Sequence, residues 1–207
     1  MDILTLKSKD KLACKMCDKC CIYRGDIRLT PINVCNISKF LKISIKEFLE
    51  KYTDKLENDK PELVLKTVGE LKECILYDKK IKGCGIHKVK PMQCVMFPLV
   101  PENIEKDYFY NSGQCVLEDS KPISVNKWLN GNNNIYKKNK KICLEWIRFI
   151  EWIQPQMQDV SDEEIEIIYK ILFEEYDLKK WNLKRQMRKN IDKVVDIINN
   201  KNRKLSN

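Results

Sequence analysis

Cys14-Lys15-Met16-Cys17-Asp18-Lys19-Cys20-Cys21 places four cysteines within eight residues. Gaps of two residues let one tight loop present successive thiolates to the same metal, and cysteine is a soft, high-affinity ligand for zinc, iron and iron–sulfur clusters. Outward from this run, Cys74, Cys84, Cys94 and Cys115 follow, with Pro98 and Pro101 between the last two. Eight of the ten cysteines therefore fall into two sets, and the chain reads first as a metal-binding protein.

A disulfide scaffold is the competing reading, because ten is an even number. Three features disfavour it. Residues 1–11 contain no uninterrupted apolar core long enough for a secretion signal and no small-residue cleavage site. A chain of 207 residues can bury a hydrophobic core without covalent staples. Adjacent Cys20 and Cys21 would also be awkward to place in separate bridges. The expectation is a reduced, cytoplasmic protein. No run approaches the ~18 apolar residues that span a bilayer, so no transmembrane segment is expected.

The geometry of the run limits how it can bind. On a helix, Cys14, Cys17 and Cys21 share one ~60° sector while Cys20 points aside; on a strand, Cys20 and Cys21 face opposite ways. Either arrangement keeps the two neighbours from sharing one tetrahedral ion. The run then implies a cluster, two nearby sites, or a separate role for one cysteine. Cys14-x2-Cys17-x2-Cys20 matches the first three spacings of a ferredoxin-type loop, which needs a remote fourth thiolate, although the proline that commonly follows that ligand comes late here. Zinc competes through a Cys3His set of Cys14, Cys17, Cys84 and His87. His87 is the only histidine, and it reads either as a ligand or proton-transfer group or as an ordinary polar loop residue. Cys35 and Cys143 lie in helical apolar stripes and read as core thiols.

Around the cysteines, Thr30-Pro31 is a helix start, with Thr as cap and Pro at the first helical position. Ser44-Ile45-Lys46-Glu47 has capping-box spacing, so a helical pair is expected over residues 31–52. Leu63–Val68 and Cys74–Tyr77 read as short strands forming a hairpin, and another strand is expected near Ile104–Tyr110. Gly83 and Gly85 bracket Cys84 with residues that permit tight turns and close approach to a metal. After the polar break at residues 130–134, helices are expected near Ile135–Ile153, Ser161–Tyr176 and Leu178–Asn199. No internal repeat is evident.

The net charge of +9 is concentrated at one end: residues 178–207 hold ten Lys or Arg against Asp192 and Asp196, a balance of +8. Such a segment could touch RNA, DNA, an anionic membrane or an acidic protein partner. Leu183, Met187, Ile191, Val194, Val195 and Ile198 recur at helical spacing and favour instead a helix packed on the body, so nucleic acid is not the preferred partner. Trp128, Trp146, Trp152 and Trp181 read as anchors for helices.

The CxxCxxCC run, with Arg28-Leu29-Thr30-Pro31, Cys74, Gly83-Cys84, Ile86-His87, Pro91, Cys94, Phe97-Pro98 and Cys115, resembles the YkgJ-type cysteine-cluster family, described as zinc- or iron-chelating. The resemblance covers about Leu12 to Val116 and implies that Cys14, Cys17, Cys20, Cys21, Cys74, Cys84, Cys94 and Cys115 form the chelating set. Where the family usually has Arg-Pro, this chain has Lys90-Pro91. The motif is also distantly similar to the cysteine module of flagellin lysine-N-methylases, which implies protein modification as one activity beside redox chemistry.

Together these readings predict an α+β, mainly helical protein. A small hairpin-containing cysteine-rich metal core is expected over residues 1–121, with a helical extension over 122–207 ending in a basic helix. The expected cofactor is an iron–sulfur cluster or iron, with a zinc-binding structural or partner-interaction module as the alternative.

Overall fold

Where a capping residue stands ahead of an apolar stripe, the chain turns into helix. A computed structural model of the protein describes residues 2–12, 20–22, 26–56, 61–113, 121–131, 134–158 and 160–205. Its elements begin with β1 (Lys9–Asp10), β2 (Arg28–Leu29), α1 (Pro31–Leu41), α2 (Ile45–Tyr52), β3 (Thr53–Lys55) and β4 (Leu63–Leu65). Four two-residue strands follow: β5 (Thr67–Val68), β6 (Glu73–Cys74), β7 (Tyr77–Asp78) and β8 (Gly83–Cys84). After a 3-10 turn at His87–Val89 come α3 (Met92–Met96), β9 (Leu99–Asn103), β10 (Tyr108–Asn111), β11 (Ile123–Ser124) and α4 (Val125–Asn130). The rest is helical: α5 (Ile135–Ile153), α6 (Asp162–Tyr169) running into a π-helical turn (Lys170–Glu174), and α7 (Leu183–Leu205). The fold is α+β, with helix predominant.

The caps explain the helix starts. Thr30 Oγ1 accepts the Asn33 N–H at 3.2 Å while Asn33 Oδ1 accepts the Thr30 N–H at 2.9 Å. Ser44 Oγ accepts the Glu47 N–H at 3.1 Å, and Ser161 and Glu164 cap each other reciprocally. Each such cap satisfies N–H groups that the helix itself leaves unbonded and contributes about 1 kcal/mol.

The chain forms two compact units, each assembled from two stretches: Met1–Ile27 with Thr67–Glu145, and Arg28–Lys66 with Trp146–Asn207. In the first, β9 and β10 pair antiparallel, and Leu4 bonds both ways to Phe109 at 2.8 and 2.9 Å. Phe109, Leu99, Met96, Val125, Leu129 and Tyr136 bury a common core. The expected strand at Ile104–Tyr110 starts later, at Tyr108, because residues 104–107 make the hairpin turn and Asp107 takes a left-handed φ of 56°. Asp107 Oδ1 then accepts the Tyr136 Oη–H at 2.7 Å and the Lys140 Nζ–H at 2.6 Å, tying the turn to α5.

In the second unit β4 is the centre of an antiparallel sheet ordered β2-β4-β3. The hairpin expected between Leu63–Val68 and Cys74–Tyr77 forms only through Thr67–Val68, which pairs with Glu73–Cys74; the Leu63–Leu65 part is corrected. Leu63, Val64 and Leu65 are all buried, the pattern of a strand covered on both faces, and they pair with Arg28–Leu29 and Thr53–Lys55 instead. Arg28 pairs with the buried Glu62 at 3.3 Å, and Tyr169 Oη donates to the Glu62 carbonyl at 3.1 Å. Helix α1 packs on α7 and on the π-helical turn.

Two expectations for the C-terminal region change. Helix α7 begins at Leu183 rather than Leu178. Asp177 captures the chain first: its Oδ1 accepts the Lys179 N–H at 3.0 Å, its carbonyl accepts the Lys180 N–H at 3.2 Å, and the Gln186 side chain bonds its backbone N–H and carbonyl. Such local bonds compete with helix formation. Among the tryptophans, Trp146 is buried and Trp128 Nε1–H donates to the Phe97 carbonyl at 3.2 Å, but Trp181 anchors nothing: it is fully exposed.

Cys35 is fully buried on α1, and burial pushes its thiol up to about 12 from an ordinary 9.0. The folded state therefore keeps this proton after the unfolded chain would lose it. The resulting stability is whole below pH 9 and is lost as pH rises from 9 toward 12. Chemical denaturation across this range is expected to show a shallower alkaline loss for Cys35→Ala than for the parent, though its neutral-pH stability is lower; parallel curves would contradict the assignment.

Candidate metal centre

Two hairpins of one design carry Cys74 and Cys84. β5 pairs with β6 around residues 69–72, and β7 pairs with β8 around residues 79–82. In each, the fourth loop residue is left-handed, Lys72 at φ 47° and Lys82 at φ 46°, and a cysteine ends the second strand. The backbone N–H two residues on, of Leu76 or Ile86, faces the thiol and favours its ionised form. The design recurs at an offset of ten residues, and the sequence carries it as Leu71-Lys72-x-Cys74-x-Leu76 and Ile81-Lys82-x-Cys84-x-Ile86. Gly85 fits because a Cβ there would lie 3.1 Å from the Leu76 carbonyl, which accepts the Gly85 N–H at 2.9 Å.

The Cys20–Cys21 turn is joined to the first hairpin by the Cys74 N–H, which donates to the Cys21 carbonyl at 2.7 Å. Cys20 and Cys21 lie in neither helix nor strand, and their Sγ atoms approach to 4.0 Å. The expected divergence of these neighbours is therefore corrected: a turn lets both thiols face one way. Two thiolates on a tetrahedral zinc with ~2.3 Å bonds would stand about 3.8 Å apart.

Electrostatics place Cys20, Cys21, Cys74 and Cys84 in one neighbourhood. The Cys21 thiol is pushed strongly up, first by its bond with Cys20, then by burial, then by the charges of Cys20, Cys84 and Cys74. Burial is the main cause raising Cys74 and Cys84, opposed by the N–H groups of Leu76 and Ile86; Lys90 also opposes the rise at Cys84. Cys21, Cys74 and Cys84 are thereby held toward their protonated forms, and a metal cation would displace those protons. Soft thiols suit iron or zinc. The approach is not at bonding distance: among the described residues no three His, Cys, Asp or Glu side chains stand close enough to hold an ion.

Of the remaining sequence-predicted ligands, Cys94 is half-buried on α3, while Cys14, Cys17 and Cys115 lie outside the described residues. His87 is exposed in the 3-10 turn after Cys84, and its pKa is lowered by partial burial and by Lys90. Cys143 is mostly buried on α5, its thiol pushed up to about 11 by burial alone. The seven described cysteines are thiols rather than disulfides.

Residues 13–148 match the family model CxxCxxCC, described as "Putative zinc- or iron-chelating domain". The chain belongs to this family. It is also similar to Uncharacterized protein MJ0661 of Methanocaldococcus jannaschii, 34% identical over 89 residues. That match takes in 41% of this chain and 43% of the relative, so the likeness spans less than half of either. No solved structure matches. Among the described residues no helix is long and apolar enough to cross a membrane.

The second unit holds a cavity of about 440 Å³ lined by Thr53, Leu63, Tyr169 and Phe173, among others, and no cysteine is among its lining residues. Lys55 also lines it, standing 4.6 Å over the Tyr169 ring and pairing with Glu166.

Gly85→Ala tests the role of the second hairpin. The added methyl presses on a backbone carbonyl beside Cys84, so metal affinity is expected to fall roughly tenfold, the scale on which groups that position a ligand act. Competition with a chromophoric chelator measures this, with far-UV circular dichroism as the check that the fold persists.

Proposed function

We propose that this chelating domain holds an iron–sulfur cluster or iron through Cys14, Cys17, Cys20, Cys21, Cys74, Cys84, Cys94 and Cys115. What supports the reading is that Cys20, Cys21, Cys74 and Cys84, from three separate pieces of chain, lie within electrostatic reach of one another, with backbone N–H groups aimed at two of the thiols. Four further cysteines give more thiolates than one zinc ion needs, which favours a cluster or more than one metal. Bound iron would supply redox chemistry. The chain's own residues would bind it, and the Leu76 and Ile86 N–H groups would stabilise negative charge on the sulfurs. A redox or protein-modifying role follows from this reading only if iron is present.

A second reading is zinc in a structural or partner-binding module. The 4.0 Å separation of the Cys20 and Cys21 Sγ atoms favours it, because that spacing is close to a tetrahedral zinc edge. Zinc would contribute folding energy directly and do no redox work.

Metal and acid-labile sulfide analysis of protein isolated without oxygen separates the two. Iron with matching sulfide and a visible spectrum that bleaches on reduction is the expected result; stoichiometric zinc without iron would replace the first reading with the second. Under either, Cys74→Ser and Cys84→Ser are expected to lose most of the bound metal while Cys143→Ala retains it. Full metal content in both serine variants would remove the hairpins from the site.

A further inference from the structure

Trp181 is a large apolar side chain with a relative exposure of 101%, a costly arrangement for a residue that could have packed. It sits in the turn before α7, where cations outnumber carboxylates: Asp177 pairs with Lys180 at 3.2 Å, and the other cations of the segment lie beyond it. From Leu178 to Ile191 the chain carries Lys179, Lys180, Lys184, Arg185, Arg188 and Lys189 and no carboxylate. Four of these cations stand on the first two turns of α7, whose first turn holds no acidic residue. The positive end of the helix dipole lies there, so this placement opposes helix stability. Helix α7 buries Leu183, Met187, Asn190, Val194 and Ile198; at 100° per residue, Arg185 falls on the side away from these.

We propose that Trp181 and the basic first turns of α7 form a binding surface for single-stranded nucleic acid. The indole offers a flat π-face on which a base stacks, and the flanking cations meet the phosphates on either side. The charge selects a polyanion; the lone ring selects among polyanions. Docking into an anionic bilayer would call for further apolar groups beside the indole, but its sequence neighbours are Lys180 and Asn182, and the apolar face of α7 is buried. Stacking needs one ring only. The helical packing that argues against nucleic acid in the sequence holds for Leu183 and Met187 and leaves Trp181 in solvent, with Arg185 on the side of α7 away from the buried face. This surface is independent of the metal centre.

The test uses the full chain as isolated, with fluorescein-labelled oligouridine and oligothymidine of about 12 nucleotides, within the site sizes of single-strand binders. Anisotropy is expected to report binding that weakens steeply with salt, with quenching of the Trp181 emission. Trp181→Ala is expected to weaken binding roughly tenfold and Trp181→Phe much less, as stacking predicts. Lys184→Glu with Arg185→Glu is expected to weaken it further and to flatten the salt dependence. The ring is fully exposed, so Trp181→Ala should melt with the parent. Absence of oligonucleotide binding at low salt overturns the proposal, and so does binding indifferent to Trp181→Ala, which would mark a nonspecific polyanion contact. Phosphatidylserine vesicles form the third arm. A Trp181 blue shift on vesicles without one-ring dependence on oligonucleotides would replace nucleic acid with a membrane surface.

Discussion

The hydrogen bond from the Cys74 N–H to the Cys21 carbonyl, 2.7 Å long, is the contact on which the cysteine-bearing region turns. It fastens the end of the CxxCxxCC run to the first of two small hairpins and so brings thiols from distant sequence positions into one neighbourhood, short of bonding distance. Neutral thiols tolerate that crowding, because protons screen the sulfurs from one another. Thiolates do not, and with burial they would repel at short range. Lys90 is a cation whose charge reaches Cys84, and it cannot balance several sulfurs. An arrangement of this kind is neutral with protons or neutralised by metal, which is why the donor chemistry and the family membership point the same way.

The hairpins show how a chain with little sheet can still position a ligand. Each has only two residues per strand, too little for independent stability. Their geometry comes from loop residues in left-handed conformation and from backbone groups that face the sulfur. Gly85 marks the tightest point, where the backbone folds back on the Leu76 carbonyl. The other unit works by different means: reciprocal caps at Thr30 and Ser161, a three-stranded sheet whose central strand is fully covered, and a buried Glu62 satisfied by Arg28.

Helices were the most legible part of this chain. Ile135–Ile153 matches its apolar stripe and ends just before Pro155, and Thr30-Pro31 starts a helix by the rule that predicts it. Those features depend on neighbours three or four residues away, which the sequence displays directly. The strand at Leu63–Leu65 was visible as a strand but not its partners, since a buried apolar triplet fits any sheet centre. Asp177 shortened α7 through side-chain bonds that periodicity does not register. The ten-residue hairpin repeat matches at Leu71 and Ile81, Lys72 and Lys82, the cysteines, and Leu76 and Ile86, too few positions over too short a unit to stand out as an internal repeat.

By itself the sequence determined the thiol-rich chemistry, the reduced-cysteine reading, the family resemblance and the places where helices begin. Tertiary structure alone decided that Cys20 and Cys21 face the same way, that Cys74 and Cys84 occupy matching turns beside them, that each unit is built from two distant stretches, and that Trp181 stands in solvent. The physical reason is range. Caps and periodicity act within a turn of helix, whereas the meeting of Cys21 with Cys74 spans more than fifty residues and depends on which backbone groups find partners once the apolar side chains are buried.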